Sequence, residues 1–387
     1  MNLTDFLKPV SQTVVEQLES SSPRSWYRSA QLYTDHFPDT DNCRIWLVGV
    51  KDDRGIPLQT GAAAGPDAIR QQLYQLINHH EDLSLADLGN IEAGASLSDT
   101  AFALHEVAKE ALNKKKILIV LGGTADLAYD QYRAYEGISR TMRLVSVDSQ
   151  IHLSAVEGAE DEAYLNRIIL HEPNYLFNIT HLAYQTYFCE EESLNTFNRM
   201  NFDAYRLGFV NKNMEECEPL LRDADMCSFN LSAIRLSDAP GQCTGSPNGL
   251  FGDQACQIAR YAGMSNELST FGLFGYVPHV DQQQQTAKLL AQMIWYFTDG
   301  VHNRKNDYPA AESSDFQTYR ITFNNSSHEV VFYKSLKSDR WWMEVPYPAE
   351  KSSRKGRYLV PCSYKDYETA CNDEVPDRWL KTYYKLI

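Results

Sequence analysis

The sequence predicts an α/β domain built on a mainly parallel sheet, followed by a small C-terminal β-rich appendage. Short apolar runs alternate with amphipathic segments over residues 44–303. These runs are almost continuously apolar, as is typical of strands buried on both faces of a parallel sheet. Beyond residue 303 a polar stretch leads into shorter β-like runs separated by turn signals, which indicate an antiparallel meander.

The apolar runs of the large domain predict its strands, which occupy residues 44–50, 114–123, 143–148, 204–210, 224–232 and 268–277. Helices are predicted between them. The first helix, over 65–77, has a proline near its start, where no intrahelical N–H bond is lost. Ligands of parallel sheets bind beyond the carboxyl ends of the strands. The residues that follow each predicted strand are therefore the candidates for a functional site.

Residues 304–387 form the predicted appendage, and residues 1–40 are predicted to be a helical lead-in to the large domain. One β-like run of the appendage contains Trp341 and Trp342, which point to opposite faces if the run is a strand. One indole then packs on the large domain, and the other covers a partner. With Tyr347 they form a candidate partner surface, because exposed aromatic side chains are enriched at interfaces. Packing of both indoles by the C-terminal tail is an equally good alternative.

Composition and charge argue against several classes of function. The 387-residue chain carries a net charge of −15, which argues against nucleic acid as the main partner. No run of about 18 apolar residues is present, so we expect no membrane-spanning helix. The first residues lack the basic and apolar regions of a signal peptide, and the eight cysteines show no paired spacing. We therefore expect a cytoplasmic protein with reduced thiols.

Five segments follow one another in a distinctive order, most of them at the ends of predicted strands. They are GAAAGPDAIRQQL (61–73), LGGTADL (121–127), VDSQIH (147–152), SFNLSAIRLSDAPGQCTGSPNGL (228–250) and LFGYVPH (273–279). In order and spacing they resemble the motifs of the arginase/agmatinase/formiminoglutamase family, the ureohydrolases. The resemblance implies a three-layer α/β/α domain over residues 41–303 with a mainly parallel, eight-stranded sheet.

The resemblance also implies a chemistry, in which two Mn²⁺ ions bridged by a hydroxide promote attack on a guanidinium or amidine carbon. Of the family's metal ligands only one aspartate keeps its residue, as Asp148. The other motif positions carry Ala125 and Gln150 for histidines, His152 for an aspartate, Asn230 and Ser232 for carboxylates, and Gly275 for the substrate-binding glutamate. Two divalent ions repel each other unless several carboxylates surround them. We therefore expect these to be vestigial positions, with no catalytic residue, no metal site and no cofactor.

The main hypothesis is consequently a pseudoenzyme, a catalytically degenerate member of this family. It would act as a binding or assembly component for an unidentified protein partner, without nucleic acid and without membrane insertion. A homo-oligomer is also possible, because family members commonly assemble into trimers or hexamers.

Two alternatives remain open. In the first, the chain hydrolyses C–N bonds of linear amidines or guanidines at a rebuilt site, where Asp148, His152 and Asp126 hold one Mn or Zn ion. In the second, the old substrate cleft binds a small molecule without metal. The groups that would form hydrogen bonds with this ligand are Gln150, Asn230, Ser232 and Arg235.

Overall fold

The computed structural model describes residues 2–80, 82–138, 140–153, 163–309, 314–323, 329–346 and 357–387. Within these residues, the chain forms one nine-stranded sheet covered by helices and a separate four-stranded sheet near the C-terminus. The predicted α/β class and the β-rich appendage are therefore confirmed. The predicted boundaries at residues 40 and 303 stay a proposal.

The large sheet is parallel between all neighbouring strands, in the order β1-β3-β2-β4-β9-β8-β5-β6-β7. Its strands are Gln31–Leu32 (β1), Ile45–Lys51 (β2), Leu85–Glu92 (β3), Ile117–Leu121 (β4), Met142–Val147 (β5), Leu176–Tyr184 (β6), Asp203–Arg206 (β7), Met226–Asn230 (β8) and Thr270–Phe274 (β9). Because every pairing is parallel, the carboxyl ends of all these strands lie along one edge. That edge carries the candidate site.

Helices cover both faces of this sheet. They are Gln12–Leu18 (α1), Trp26–Ser29 (α2), Gly65–Leu73 (α3), Leu97–Asn113 (α4), Ala128–Arg133 (α5), Tyr164–Ile169 (α6), Glu191–Arg199 (α7), Leu207–Lys212 (α8), Cys217–Leu221 (α9), Gly252–Met264 (α10) and Gln285–His302 (α11). Helices α10 and α11 approach closely because glycines meet there. A Cβ atom on Gly263 would lie 2.1 Å from the Phe297 carbonyl oxygen, and one on Gly300 would lie 2.2 Å from that of Arg260.

The sheet differs from the prediction in three ways. It has nine strands rather than eight, and β1, β3 and β6 were not predicted. Strands β3 and β6 contain polar residues, including Asp87 and His181, which interrupt the apolar pattern. The predicted strand 204–210 is wrong in its second half, because the chain turns into helix α8 after Arg206. Polar side chains inside these elements are satisfied by distant partners, which a local pattern does not reveal.

A buried ion pair fastens helix α3 to strand β3. The guanidinium of Arg70 donates to both carboxylate oxygens of Asp87, at 2.8 and 2.9 Å, and to Asn90 Oδ1 at 2.6 Å. Burial alone would lower the pKa of Arg70, but the Asp87 carboxylate raises it. Gly49 leaves room for the pair, since a Cβ atom there would lie 2.9 Å from Arg70 Nη1. Arg70 is therefore paired inside the protein.

The appendage contains more than the three predicted β-like runs. Strands Phe316–Thr322 (β10), Glu329–Ser335 (β11), Trp341–Pro346 (β12) and Arg357–Cys362 (β13) form an antiparallel sheet in chain order. Two helices follow, Tyr364–Cys371 (α12) and Asp377–Leu386 (α13). They were not predicted, because their apolar faces are formed mainly by aromatic side chains.

The appendage docks against the amino ends of the large sheet's strands. Lys381 Nζ lies 2.9 Å from Asp203 Oδ1 at the start of β7. Lys385 Nζ donates to Asn178 Oδ1 at 2.7 Å, near the start of β6. Arg143, near the start of β5, donates to the Tyr358 hydroxyl. The described contacts of the appendage therefore lie at the end of the sheet opposite to the carboxyl edge.

Glu218 of α9 connects the appendage to the large domain. Its carboxylate accepts from Arg222 on the same helix and lies 2.9 Å from Arg340 Nε of the appendage. Arg222 in turn donates from Nη1 to the carbonyl oxygen of Trp341 at 2.5 Å. Its guanidinium lies 4.7 Å from the ring centre of Trp342. An ion pair, a backbone hydrogen bond and a cation–aromatic contact thus join the appendage to the large domain at Glu218 and Arg222.

Both tryptophans are covered by the chain itself. Trp341 is 8% exposed and packs against Tyr319 and Tyr367. Trp342 is 2% exposed and lies beneath Arg222. Their interpretation as a partner surface is therefore corrected: the tail covers Trp341, and the large domain covers Trp342. Tyr347 lies outside the described residues.

Among the described residues, no helix has the length and apolarity needed to cross a bilayer. The structure describes all eight cysteines, and each is a free thiol.

The buried pair predicts a large loss of stability on Asp87→Asn. The substitution keeps the shape of the side chain but removes the main carboxylate partner of the buried Arg70, leaving only Asp67 at 3.5 Å from its Nη1. Breaking a buried pair in this way costs about 3–5 kcal/mol. Urea denaturation gives the free energy of unfolding. The control is Glu192→Gln, which removes an exposed pair with Arg199 and should change stability little. A similar loss in both variants would contradict the argument.

Glu218 predicts a pH-dependent contribution to stability. Burial raises the pKa of Glu218, but Arg222 and Arg340 outweigh burial and lower it. The stabilisation is present above the ordinary glutamate pKa and is lost as pH falls through the lowered value. Glu218→Gln should therefore lower the thermal midpoint at pH 7, and the gap to wild type should narrow below about pH 4. Glu329→Gln, which removes an exposed pair with Arg320, is the control. A gap independent of pH would refute the assignment.

Candidate active site

The positions singled out in the sequence converge at the carboxyl edge of four neighbouring strands, β4, β9, β8 and β5. Asp148 directly follows β5, Asn230 ends β8, and Gly275 directly follows β9. A Cβ atom on Gly275 would lie 2.8 Å from Asn230 Oδ1, so these two positions touch. Ala125 follows β4 and is fully buried.

The carboxylate of Asp148 is the centre of this cluster, and it is fully buried. Its Oδ1 accepts from the Ser232 hydroxyl at 2.6 Å and from the Gln150 backbone N–H at 3.1 Å. Its Oδ2 accepts from Asn230 Nδ2 at 2.7 Å and lies 3.0 Å from His152 Nε2. A carboxylate offers about four acceptor positions. Those of Asp148 are therefore occupied.

These contacts determine the charge of Asp148. Burial raises the pKa of its carboxyl group, but the charge of His152 and the hydrogen bonds from His152 and Ser232 lower it to about 2. Asp148 is consequently ionised at neutral pH. An ionised acceptor requires His152 to carry a proton on Nε2.

His152 is held in place by its surroundings. Its ring packs against Tyr164 of α6, with ring centres 5.2 Å apart. Its backbone carbonyl oxygen accepts from the Leu165 N–H at 3.2 Å. A histidine oriented by a carboxylate is an arrangement that supports proton transfer in enzymes. The pair Asp148–His152 is therefore the part of this cluster with chemical potential.

His181 is a neighbour that the sequence reasoning missed. It is fully buried on β6, and its Nε2 lies 3.2 Å from the Asp148 carbonyl oxygen. Burial lowers the pKa of His181 to about 4, so the ring is neutral at pH 7. It was missed because β6 was not predicted. The apolar residues on either side of His181 in the sequence were the signal that could have predicted this strand.

Asp126 and Gln150 differ from Asp148 in their surroundings. Asp126 is buried, and its carboxylate lies against Gly55, where a Cβ atom would come within 2.2 Å of Oδ2. Gln150 contributes its backbone N–H to Asp148. Among the described residues, no group of three or more His, Cys, Asp and Glu side chains is arranged to hold a metal ion. The suggested single-metal site of Asp148, His152 and Asp126 is therefore not present there.

Comparison with known proteins places this geometry in context. The family model described as "Arginase family" matches residues 43–299. Formimidoylglutamase of Staphylococcus aureus is 23% identical over 268 residues, covering 65% of this chain and 85% of that protein. The structure of Trypanosoma cruzi formiminoglutamase with Mn²⁺ superposes with a TM-score of 0.63 at 20% identity, over 68% of this chain and 95% of that one. Formimidoylglutamase of Bacillus subtilis gives 0.65 at 16% identity, over 74% and 94% of the two chains.

These comparisons correct one expectation. The T. cruzi structure contains Mn²⁺, which indicates a dimanganese cofactor in this family. The prediction of no cofactor, with one Mn or Zn as its alternative, is therefore contradicted. It was drawn from the substituted ligand positions alone, and substitution at those positions does not establish that a member of the family has no cofactor.

The described side chains nevertheless fit a manganese pair poorly. Mn²⁺ favours carboxylate oxygens with some imidazole, and two ions need several carboxylates around them. Here the Asp148 carboxylate already accepts from neutral groups on Asn230 and Ser232. The acidic residues within 154–162, which follow His152 in the sequence, lie outside the described residues. No catalytic step is assigned to a metal ion at this cluster.

The hydrogen bond from Ser232 to Asp148 predicts a measurable loss of stability. Ser232→Ala removes a donor to a buried carboxylate, and such charge-assisted bonds contribute about 1.5–3 kcal/mol. Urea denaturation measures the change. The control is Ser84→Ala, whose hydroxyl donates to the neutral Asn42 carbonyl oxygen at an exposed site and should contribute less. Equal losses would show that the Asp148 charge does not depend on Ser232.

Proposed function

Because the chain belongs to the arginase family, we propose that it hydrolyses a C–N bond in a linear amidine or guanidino compound, as formiminoglutamases and agmatinases do. The observation that carries the proposal is the Asp148–His152 pair at the carboxyl edge of the sheet. The similarity to S. aureus formimidoylglutamase supports it, since it extends over 85% of that protein. The pseudoenzyme, which is the main hypothesis from the sequence, becomes the second candidate function.

The proposed reaction needs proton transfers that His152 is placed to perform. Water adds to the amidine carbon and gives up a proton, the C–N bond breaks, and the leaving nitrogen receives a proton. His152 is assigned as the general base for the first proton, while Asp148 stabilises the charge that develops on the ring. Asn230 and Ser232 keep Asp148 ionised, so it orients His152 and does not act as a nucleophile.

The contribution of a metal ion is separate from that of His152. Among the relatives, the T. cruzi structure contains Mn²⁺. A bound metal ion would supply activation of the attacking water. The role given to His152 here does not pass through a metal ion, so the two contributions are tested independently.

A second candidate function is the binding or assembly component without turnover. One observation favours it, namely that the four acceptor positions of Asp148 are filled by protein donors. A carboxylate whose acceptor positions are filled by protein donors stabilises the fold, which is the role of a structural residue. Partner identity and any homo-oligomer remain proposals of this second candidate.

Turnover by the purified full-length chain decides between the candidates. N-formimidoyl-L-glutamate, agmatine and L-arginine are incubated with it, once with added Mn²⁺ and once with a chelator, and release of amine or ammonia is measured. We expect turnover of at least one compound. His152→Gln should reduce the rate by about 10²–10⁴, as removal of a general base does.

The matched control is His279→Gln, which changes an exposed histidine at the same edge of the sheet. It should leave the rate unchanged. Circular dichroism confirms that each variant is folded. Absence of turnover in both metal arms would reject the hydrolase and support the second candidate. Equal turnover by His152→Gln and wild type would reject the role given to His152.

A further inference from the structure

A cavity of about 80 Å³ lies at the amino ends of the strands, where the appendage docks. Its walls come from β5, β6, β7, the turn between α9 and β8, strand β13 and helix α13. It therefore lies at the end of the sheet opposite to the Asp148 cluster. The volume has room for about five to eight water-sized groups, since each needs roughly 10–15 Å³.

Helix α13 presents a row of cations to this cavity. Arg378, Lys381 and Lys385 are spaced by three and four residues, which places them on one face of the helix. All three line the cavity, and Arg143 of β5 lines it from the large domain. Four cationic side chains from two parts of the chain thus meet around one small space.

Two carboxylates line the same cavity, those of Asp203 and Asp223. Asp203 is shared between two cations, because Lys381 Nζ lies 2.9 Å from its Oδ1 and Lys385 Nζ lies 3.8 Å from its Oδ2. With four cations and two carboxylates, the described lining carries a formal net charge of +2, in a chain of net charge −15. A local positive charge against the overall balance concentrates anions at that point.

Arg378 has a donor to spare. Its Nη2 lies 3.2 Å from Glu216 Oε2 and its Nε lies 3.7 Å from Asp366 Oδ2. Its Nη1 is buried and has no hydrogen-bond partner among the residues that the structure describes. A buried donor without an acceptor costs about 1–3 kcal/mol, so an acceptor that enters the cavity would recover this loss.

Arg143 is bound mainly to a neutral group. Its Nε donates to the Tyr358 hydroxyl at 3.1 Å, and its Nη1 lies 3.8 Å from Asp225 Oδ2. Its guanidinium lies 5.2 Å from the ring centre of Phe177. The aromatic rings and the hydroxyl hold the guanidinium in place before any ligand arrives, which reduces the entropic cost of binding.

Lys385 shows the effect of this accumulation of positive charge. Its Nζ donates to the neutral Asn178 Oδ1 at 2.7 Å. Burial, together with the charges of Lys381 and Arg143, lowers the pKa of Lys385 to about 8, against the opposing charge of Asp203. The ammonium group is therefore less well compensated here than in water, and a bound anion would compensate it.

We propose that this cavity binds a small inorganic oxyanion, phosphate or sulfate, between helix α13 and strand β5. Such an anion has five heavy atoms, which the cavity accommodates, and its oxygens accept from guanidinium and ammonium donors. Its negative charge offsets the +2 of the lining. Because its donors come from the appendage and from the large domain, a bound anion should stabilise the docking of the two. The inference goes beyond the proposed function and does not depend on turnover.

Isothermal titration calorimetry of inorganic phosphate into the full-length chain tests the site, with sulfate and chloride compared at constant ionic strength. We expect one oxyanion to bind per chain and chloride not to bind. Binding of only one of the two oxyanions upholds the site and identifies its ligand. Lys381→Gln should weaken binding about tenfold or more, as expected for loss of a charged hydrogen bond.

The matched control is Arg206→Gln, which removes an exposed arginine at the other end of β7 and should leave the affinity unchanged. Lys381 is 38% exposed, so its variant should stay folded. As a second measurement, saturating phosphate should raise the thermal midpoint of wild type and Arg206→Gln more than that of Lys381→Gln. No oxyanion binding by wild type, equally tight binding of chloride, or full affinity in Lys381→Gln would overturn the proposal.

Discussion

Burying the negative charge of Asp148 at the end of β5 determines how the carboxyl edge is built. A carboxylate removed from water needs hydrogen-bond donors, and the chain recruits them from its own turn and from β8. His152 completes the set, and its ring orientation follows from that contact. The same cluster that stabilises the charge therefore also orients His152. Structure and possible chemistry at this edge depend on a single ionised group.

The two ends of the sheet have separate roles. The appendage is fastened to the amino ends of the strands, through Glu218 and through lysines on α13. The carboxyl ends carry the Asp148 cluster. In an arginase-family chain of this kind, additions at one end of the sheet can be tolerated without obstructing ligand access at the other. The extra sequence is thus compatible with either candidate function.

Local patterns in the sequence were sufficient for the strands that are apolar throughout, such as β4 and β9. They failed at β3 and β6, where Asp87 and His181 Nε2 contact residues distant in the chain. For the site, the motif positions around Asp148 did converge in space. The cofactor could not be inferred from them, because comparison with related structures, not residue substitution, shows what the family binds. The cavity beside α13 was also missed, since that helix was not predicted.

The position of helix α13 has a practical consequence. Helix α13 lies against the amino ends of the strands, and its Tyr384 is exposed. An affinity tag or a surface attachment placed there would hold the molecule with its opposite end directed into solution. Immobilised protein would therefore present the Asp148 cluster in a uniform orientation, without a chemical modification near it.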